Sequence, residues 1–239
     1  LYLSEALTAF ETTAGKVTGV ITDKRTLSAD MVILGIGVRP NTVLAEAAGI
    51  ALGEKGAIRV NERMETGSTG IWAAGDCAES FHLVSRKPFH VALGTVANRH
   101  GRVAGINLGG GYATFPGVVG TAVTKLCQVE IARTGLQEKE IKALGLEHES
   151  AVIKSHTKAG YYPGAGEITV KLLAEKGSGR LLGGQIVGME GSAKRIDTLA
   201  TALHAGFTVE EMINLDLGYA PPFSPVWDPV VIAARAVAK

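Results

Sequence analysis

Runs of apolar residues broken by glycine set the pattern of the first half of this chain. Residues 9–12 and 16–22 read as short strands on either side of Ala14-Gly15, the signature of a hairpin turn. Residues 31–36 form an unbroken apolar run, which predicts a strand buried in a sheet and ending in Gly35-Ile36-Gly37-Val38-Arg39-Pro40-Asn41. Thr42 can then cap a short helix over 43–48, closed by Gly49. A second small apolar run, Ile71-Trp72-Ala73-Ala74, predicts another buried strand, because parallel strands covered on both faces lose their alternation. It leads straight into Gly75-Asp76. Residues 98–108 read as a helix starting near Gly94-Thr95, with Thr95 as its cap and Gly109-Gly110-Gly111 as its stop.

From Gly117 the pattern changes. Strands are predicted at 118–126, 129–134, 151–156, 168–173 and 181–187, interrupted by helices at 137–144 and 194–204. Ile196, Leu199, Ala200 and Leu203 recur at the spacing of one helical face. A last helix over 229–237 has Asp228 at its N-cap and Pro229 at its first position. Such an order predicts an α+β domain after an α/β part.

Lys and Arg total 24 against 23 Asp and Glu in 239 residues, so no net field draws nucleic acid or an anionic membrane. A 46% hydrophobic composition with 31 glycines suits a compact protein rich in tight turns, and no apolar run approaches the ~18 residues of a membrane span. Two cysteines, Cys77 and Cys127, make no disulfide framework; with no leader pattern legible, the expectation is a reducing cytoplasm. Both are expected to be small buried hydrophobes. His82, His90 and His100 lack metal-ligand spacing, so no metal is expected. The first residue is Leu1, not Met, which reads as a piece of something longer.

The chemistry concentrates in two strings. In Thr69-Gly70-Ile71-Trp72-Ala73-Ala74-Gly75-Asp76-Cys77-Ala78-Glu79, Gly75 allows a ligand close to the backbone and Asp76 sets a carboxylate where α/β sheets bind ligands. That carboxylate suits a polyol hydroxyl. The whole string resembles the second FAD-binding motif of the pyridine nucleotide-disulfide oxidoreductases. The other string runs Leu217-Gly218-Tyr219-Ala220-Pro221-Pro222-Phe223-Ser224-Pro225-Val226-Trp227-Asp228-Pro229, in which three prolines stiffen the loop between Tyr219 and Trp227. Read alone, it joins two helices, with Tyr219 as a packing aromatic. In context it resembles the C-terminal signature of coenzyme A-disulfide reductases and their NADH oxidase and persulfide reductase relatives.

The resemblance covers essentially the whole chain and implies a domain order. Residues 1–55 would be the tail of an NAD(P)H-binding domain, 56–114 the C-terminal part of an FAD-binding domain, and 115–239 an interface domain that pairs two subunits. Gly75, Asp76, Leu93, Gly94, Thr95 and Gly37 would hold cofactor, the helix start near Gly94 facing the flavin with its partial positive charge. Tyr219, and Tyr161 of Tyr161-Tyr162-Pro163-Gly164, would face the partner subunit's thiol and flavin as the catalytic pair. Asn98, Trp227, Lys194 and Arg195 would contact substrate. Lys194-Arg195 sit where cations oppose a helix dipole, so either an anion such as a coenzyme A phosphate resides there or both are solvated. The family's nucleophilic cysteine and both nucleotide fingerprints would lie upstream of Leu1. No histidine follows His204, whereas the glutathione-reductase branch carries a His-Glu dyad near its C-terminus; that favours the single-cysteine branch. The implied activity is reduction of a disulfide, coenzyme A disulfide or a persulfide, by NAD(P)H through FAD in a homodimer. The alternatives are an NADH oxidase or peroxidase, and a dimerisation module without flavin.

Overall fold

A computed structural model describes residues 1–53 and 55–238, and the chain divides into two compact units, Leu1–Arg39 and Pro40–Lys239. In the first unit, β1 (Leu7–Thr13), β2 (Lys16–Thr22) and β3 (Thr26–Ser28) form an antiparallel meander. Ala14 and Gly15 turn β1 into β2 with φ of 49° and 76°, the left-handed values a tight hairpin needs. The strand expected at 31–36 is not formed. Those residues have no regular structure, and Met31, Ile33 and Ile36 are exposed. A buried parallel strand needs neighbours for its N–H and C=O groups, and the described residues supply none beside it.

The second unit opens with α1 (Val43–Ala47). Thr42 occupies its N-cap position, but its hydroxyl donates to Glu46 Oε1 at 3.0 Å and bonds no backbone amide. The strand expected at 71–74 is also absent as such: only an isolated bridge joins Trp72 to Glu65, and Ile71 is exposed. A short hairpin that the apolar pattern did not predict, β4 (Ser80–His82) with β5 (Lys87–Phe89), follows. Then comes α2 (Gly94–Leu108), which buries Val96, His100, Val103, Ala104 and Asn107 along one face. Val96, Val103 and Ala104 pack with Met64, Phe115 and Val118 into a small core, with the His100 ring edge-on to Phe115. Thr95 does not cap α2. The N-cap is Leu93, in extended conformation and without a side-chain bond, so Thr95 lies inside the first turn.

The remaining strands, β6 (Ala122–Leu126), β7 (Val129–Gly135), β8 (His148–His156), β9 (Glu167–Glu175) and β10 (Leu181–Gly188), form one antiparallel sheet in the order β6-β7-β10-β9-β8. Residues 118–121, expected within the first of these strands, lie outside it. A capping box between Gln137 and Glu140 starts α3 (Glu138–Ala143). A 3₁₀ turn (Ala193–Arg195) leads into α4 (Ile196–Ala205), and α5 (Val209–Ile213) and α6 (Pro229–Val237) follow. Ile196, Leu199 and Leu203 of α4 and Val230, Ala233, Ala234 and Val237 of α6 meet Ile168, Val170, Leu172 and Ile186 in the main core. Gly184 admits this packing, since a Cβ there would stand 2.6 Å from Leu199 Cδ1. This is the α+β domain the sequence predicts, after a mixed α/β part.

The two cysteines differ from expectation. Cys77 is half-buried, its Sγ 3.5 Å from the Ala74 carbonyl. Cys127 is exposed, because it takes the first place of the two-residue turn between β6 and β7, with φ of 53°. Among the described residues no helix is long and apolar enough to cross a membrane, and no His, Cys, Asp or Glu cluster is arranged for a metal.

Candidate active site

Gly75 turns the chain with φ of +84°, a conformation that favours a residue without Cβ. The turn closes by a bond from the Ala78 amide to the Gly75 carbonyl at 3.0 Å. A Cβ at Gly75 would touch the Ala97 methyl at 3.7 Å, so the turn lies against the first residues of α2. That contact brings together Gly75, Asp76, Gly94 and Thr95, which stand far apart in sequence.

Two histidines, weighed in the sequence only as metal ligands, hold this junction. His90 Nε2 bonds the Asp76 backbone carbonyl at 2.7 Å. His100, fully buried on α2, has Nε2 3.1 Å from Ser80 Oγ. Its Nδ1 meets no partner at full hydrogen-bonding geometry, although the Gly75 carbonyl lies near enough to favour a proton there. Burial is the larger influence and holds the ring below its ordinary pKa, so it is neutral near pH 7. A proton on Nδ1 would leave Nε2 to accept from Ser80, which suits both neighbours. The only sequence signal was a histidine on the apolar face of a helix.

The Asp76 side chain is exposed and makes no hydrogen bond or ion pair among the described residues. With no side-chain cap on α2, the Gly94 and Thr95 amides stay available to a ligand, while the Val96 amide already donates to the Leu93 carbonyl at 2.9 Å. Asn98 turns back on its own helix, donating from Nδ2 to the Gly94 carbonyl at 2.8 Å. A cavity of about 330 Å³ beside this helix start is lined by Leu93, Thr95, Arg99, Lys194, Asp197 and His204, among others. It joins two expected cofactor residues to one expected substrate residue. Gly37 belongs to the first unit, with φ of +91° and open space where a Cβ would stand.

The second assembly carries the tyrosines. Tyr161 and Tyr219, 79% and 47% exposed, come from separate loops, and the Tyr161 hydroxyl lies near enough to that of Tyr219 to act on it. That neighbour is the largest cause raising the Tyr219 phenol above its ordinary pKa, so Tyr219 keeps its proton throughout the neutral range. Trp227 is exposed, with the Arg235 guanidinium 4.9 Å above its ring, and lines a small cavity with Tyr219. Among the described residues no hydrogen bond, ion pair or ring contact joins either tyrosine to the Gly75–Asp76 turn.

Lys194 and Arg195 part company. Lys194 is exposed and pairs with Asp197. Arg195 forms neither a solvated surface nor an open seat for an anion, because every guanidinium nitrogen is already bonded. Nε meets Asp228 Oδ2 at 2.9 Å, Nη1 donates to the Gly191 carbonyl at 2.6 Å, and Nη2 donates to the Thr157 and Phe223 carbonyls at 2.8 and 2.9 Å.

Residues 1–101 match the model described as pyridine nucleotide-disulphide oxidoreductase, and residues 121–229 match that family's dimerisation domain. A CoA-dependent NAD(P)H sulfur oxidoreductase of Pyrococcus furiosus is 44% identical over 222 residues, 93% of this chain and 50% of the relative. An NADH oxidase of Methanocaldococcus jannaschii is 39% identical over 224 residues, 94% of this chain and 50% of the relative. The solved structure of an NAD-dependent persulfide reductase from A. fulgidus superposes with a TM-score of 0.94 at 43% identity, covering 98% of this chain and 44% of that one. The chain thus spans about half the length of the curated relatives it matches. With both halves of the family's architecture matched in order, the chain belongs to the pyridine nucleotide-disulphide oxidoreductases.

Proposed function

We propose that the protein carrying this sequence is an FAD-dependent, NAD(P)H-using oxidoreductase that reduces a disulfide, either coenzyme A disulfide or a persulfide, as a homodimer. The observation that carries the proposal is the meeting of Tyr161 and Tyr219, two exposed phenols from separate loops. Residues 1–55 and 56–114 would be the parts of the NAD(P)H and FAD domains present, and 115–239 the pairing domain. The gap between the matched segments, 101 to 121, supports a last boundary near 115.

The residues at the Gly75 turn fit a flavin. Gly75 leaves room on its open side, the unpaired Asp76 carboxylate can accept from a ribityl hydroxyl, and the uncapped first turn of α2 at Leu93, Gly94 and Thr95 can donate to a carbonyl or anion. When bound, FAD supplies the two-electron chemistry between a nicotinamide and a disulfide. The protein's own part is positional and electrostatic. Tyr219, protonated at neutral pH, holds one hydroxyl proton, which it can turn from Tyr161 to sulfur that becomes negative as the disulfide opens; Tyr161 serves as its resting acceptor. Both belong to the face turned to the partner, so each subunit would lend its tyrosines to the other's thiol. Lys194 and Asn98 are the residues proposed to meet the substrate's polar groups, with Trp227 against its apolar part. Arg195 is left out of that set, its donors being spent within the chain.

A second reading, reduction of oxygen or peroxide, draws on the similarity to the M. jannaschii NADH oxidase. Steady-state turnover of the intact protein with coenzyme A disulfide, a persulfide and oxygen as separate acceptors decides between them. Disulfide or persulfide turnover exceeding oxygen consumption is the expected result; oxygen as the preferred acceptor would overturn the first reading.

A further inference from the structure

Arg195 lies at the joint between the 3₁₀ turn and α4, where it reaches three separate loops. Its Nη2 binds the carbonyl of Thr157, just upstream of Tyr161, and the carbonyl of Phe223, just downstream of Tyr219. Its Nη1 binds the Gly191 carbonyl, and its Nε binds Asp228. Asp228 is committed in turn: Oδ1 caps α6 by accepting from the Val230 amide at 2.8 Å, and Oδ2 also accepts from Ser224 Oγ at 3.2 Å. The side chains of Arg195 and Asp228 are each only 12% exposed. Among the described residues one backbone bond crosses directly between the two tyrosine loops, from the Ala159 amide to the Pro221 carbonyl at 3.1 Å.

We propose that Arg195 is the positioning residue of the tyrosine pair: its guanidinium clamps the Tyr161 loop to the Tyr219 loop and so sets the distance between the two hydroxyls. The planar fork matters, because a single side chain must serve carbonyls in different directions while pairing with a carboxylate. A lysine ammonium supplies charge but not that fork. Without the clamp, Thr157 and Phe223 each lose a charge-assisted bond and the Ala159–Pro221 bond is the backbone link left between the loops. The proline-braced segment remains stiff within itself, so it would move as a body and take Tyr219 away from Tyr161. The clamp deepens the functional reading and rests on it only for what the tyrosines do, not for how they are held.

The test reads the tyrosines directly, without substrate. In the intact protein, NMR of ¹³Cζ-labelled tyrosine follows the ionisation of Tyr219, assigned by the signal that disappears in Tyr219→Phe. The Tyr161→Phe variant gives the midpoint of a Tyr219 that has lost its partner, lower than in the wild type because the Tyr161 hydroxyl is what raises it. Arg195→Met is expected to bring the midpoint down to the Tyr161→Phe value, and Arg195→Lys to bring it part of the way. Arg180→Met, which breaks the partly buried Arg180–Glu175 pair at 3.3 Å in the same domain, is expected to lower thermal stability and leave Tyr219 unmoved. A folded Arg195→Met with the wild-type midpoint would overturn the proposal. Should that variant fail to fold, an unchanged midpoint in Arg195→Lys would overturn it. A protein whose Tyr219 shifts as expected yet reduces no disulfide would keep the clamp and refute only the function assigned to the pair.

Discussion

Replacing Gly75 with alanine separates what the fold requires at this turn from what a cofactor requires. At φ of +84° an L-residue is strained, at a cost of about 1–2 kcal/mol. No steric penalty adds to this, because the new Cβ would meet only the Ala97 methyl at 3.7 Å, an ordinary contact. For a chain of this size that cost lowers the melting temperature by roughly 2–8 °C, at about 2–4 °C for each kcal/mol. Gly145→Ala is the matched control: φ is +71°, nothing lies within 4 Å of its Cβ, and it closes α3 by donating its amide to the Lys142 carbonyl. Both variants should therefore melt a few degrees early. Only Gly75→Ala should also lose flavin, since its Cβ would fill the space through which the cofactor approaches the backbone. A loss of about 1.4 kcal/mol in binding corresponds to tenfold weaker affinity, visible as a lower ratio of flavin to protein absorbance after gel filtration. If Gly75→Ala keeps wild-type flavin while melting with Gly145→Ala, the close-approach argument is wrong.

Acid should weaken the fold before any carboxylate titrates. Burial lowers the pKa of both His82 and His100 in the folded protein below the ordinary 6.5. The unfolded chain thus binds protons first, and stability present above about pH 6.5 is lost as pH falls through that value toward the folded-state pKa values. Urea unfolding between about pH 7.5 and pH 5.5 should show the decline, and His82→Asn with His100→Asn should flatten it; an unchanged slope in the double variant would contradict the assignment. Leu199 is fully buried between α4 and β10, so Leu199→Ala should cost about 2–5 kcal/mol, measured by urea denaturation, and a loss under about 1 kcal/mol would mean the core collapses onto the gap.

The sequence was most readable where local chemistry decides the structure. The hairpin at Ala14-Gly15, the stripe Ile196, Leu199 and Leu203, and the Asp228-Pro229 start of α6 follow from turn geometry, periodicity and capping, and each is present in the fold. Misreadings arose where a long-range neighbour decides. The apolar run at 31–36 resembles a parallel strand, but a strand exists only beside a partner. Thr95 resembles a cap, yet the helix begins one residue earlier, at Gly94. The short α5 carried a readable sign, Thr208 and Glu211 at capping-box spacing, that apolar periodicity passed over. At the site, Gly75, Asp76 and the two tyrosines stood out through their flanking glycines and prolines. That Gly75 touches the first turn of α2, and that Tyr161 meets Tyr219, are facts of tertiary packing. Arg195 shows the limit most clearly. In sequence it is one of two basic residues at a helix start, and only the folded chain reveals carbonyls from three loops converging on it.

A double-mutant cycle on the tyrosines tests the central claim most directly. In the intact protein, kcat/KM for coenzyme A disulfide would be measured with NAD(P)H for the wild type, Tyr161→Phe, Tyr219→Phe and the double variant. Two hydroxyls acting as one hydrogen-bonded unit should make each single change costly and the double change little worse than the worse single one. Wild-type kcat/KM in both single variants would contradict the account.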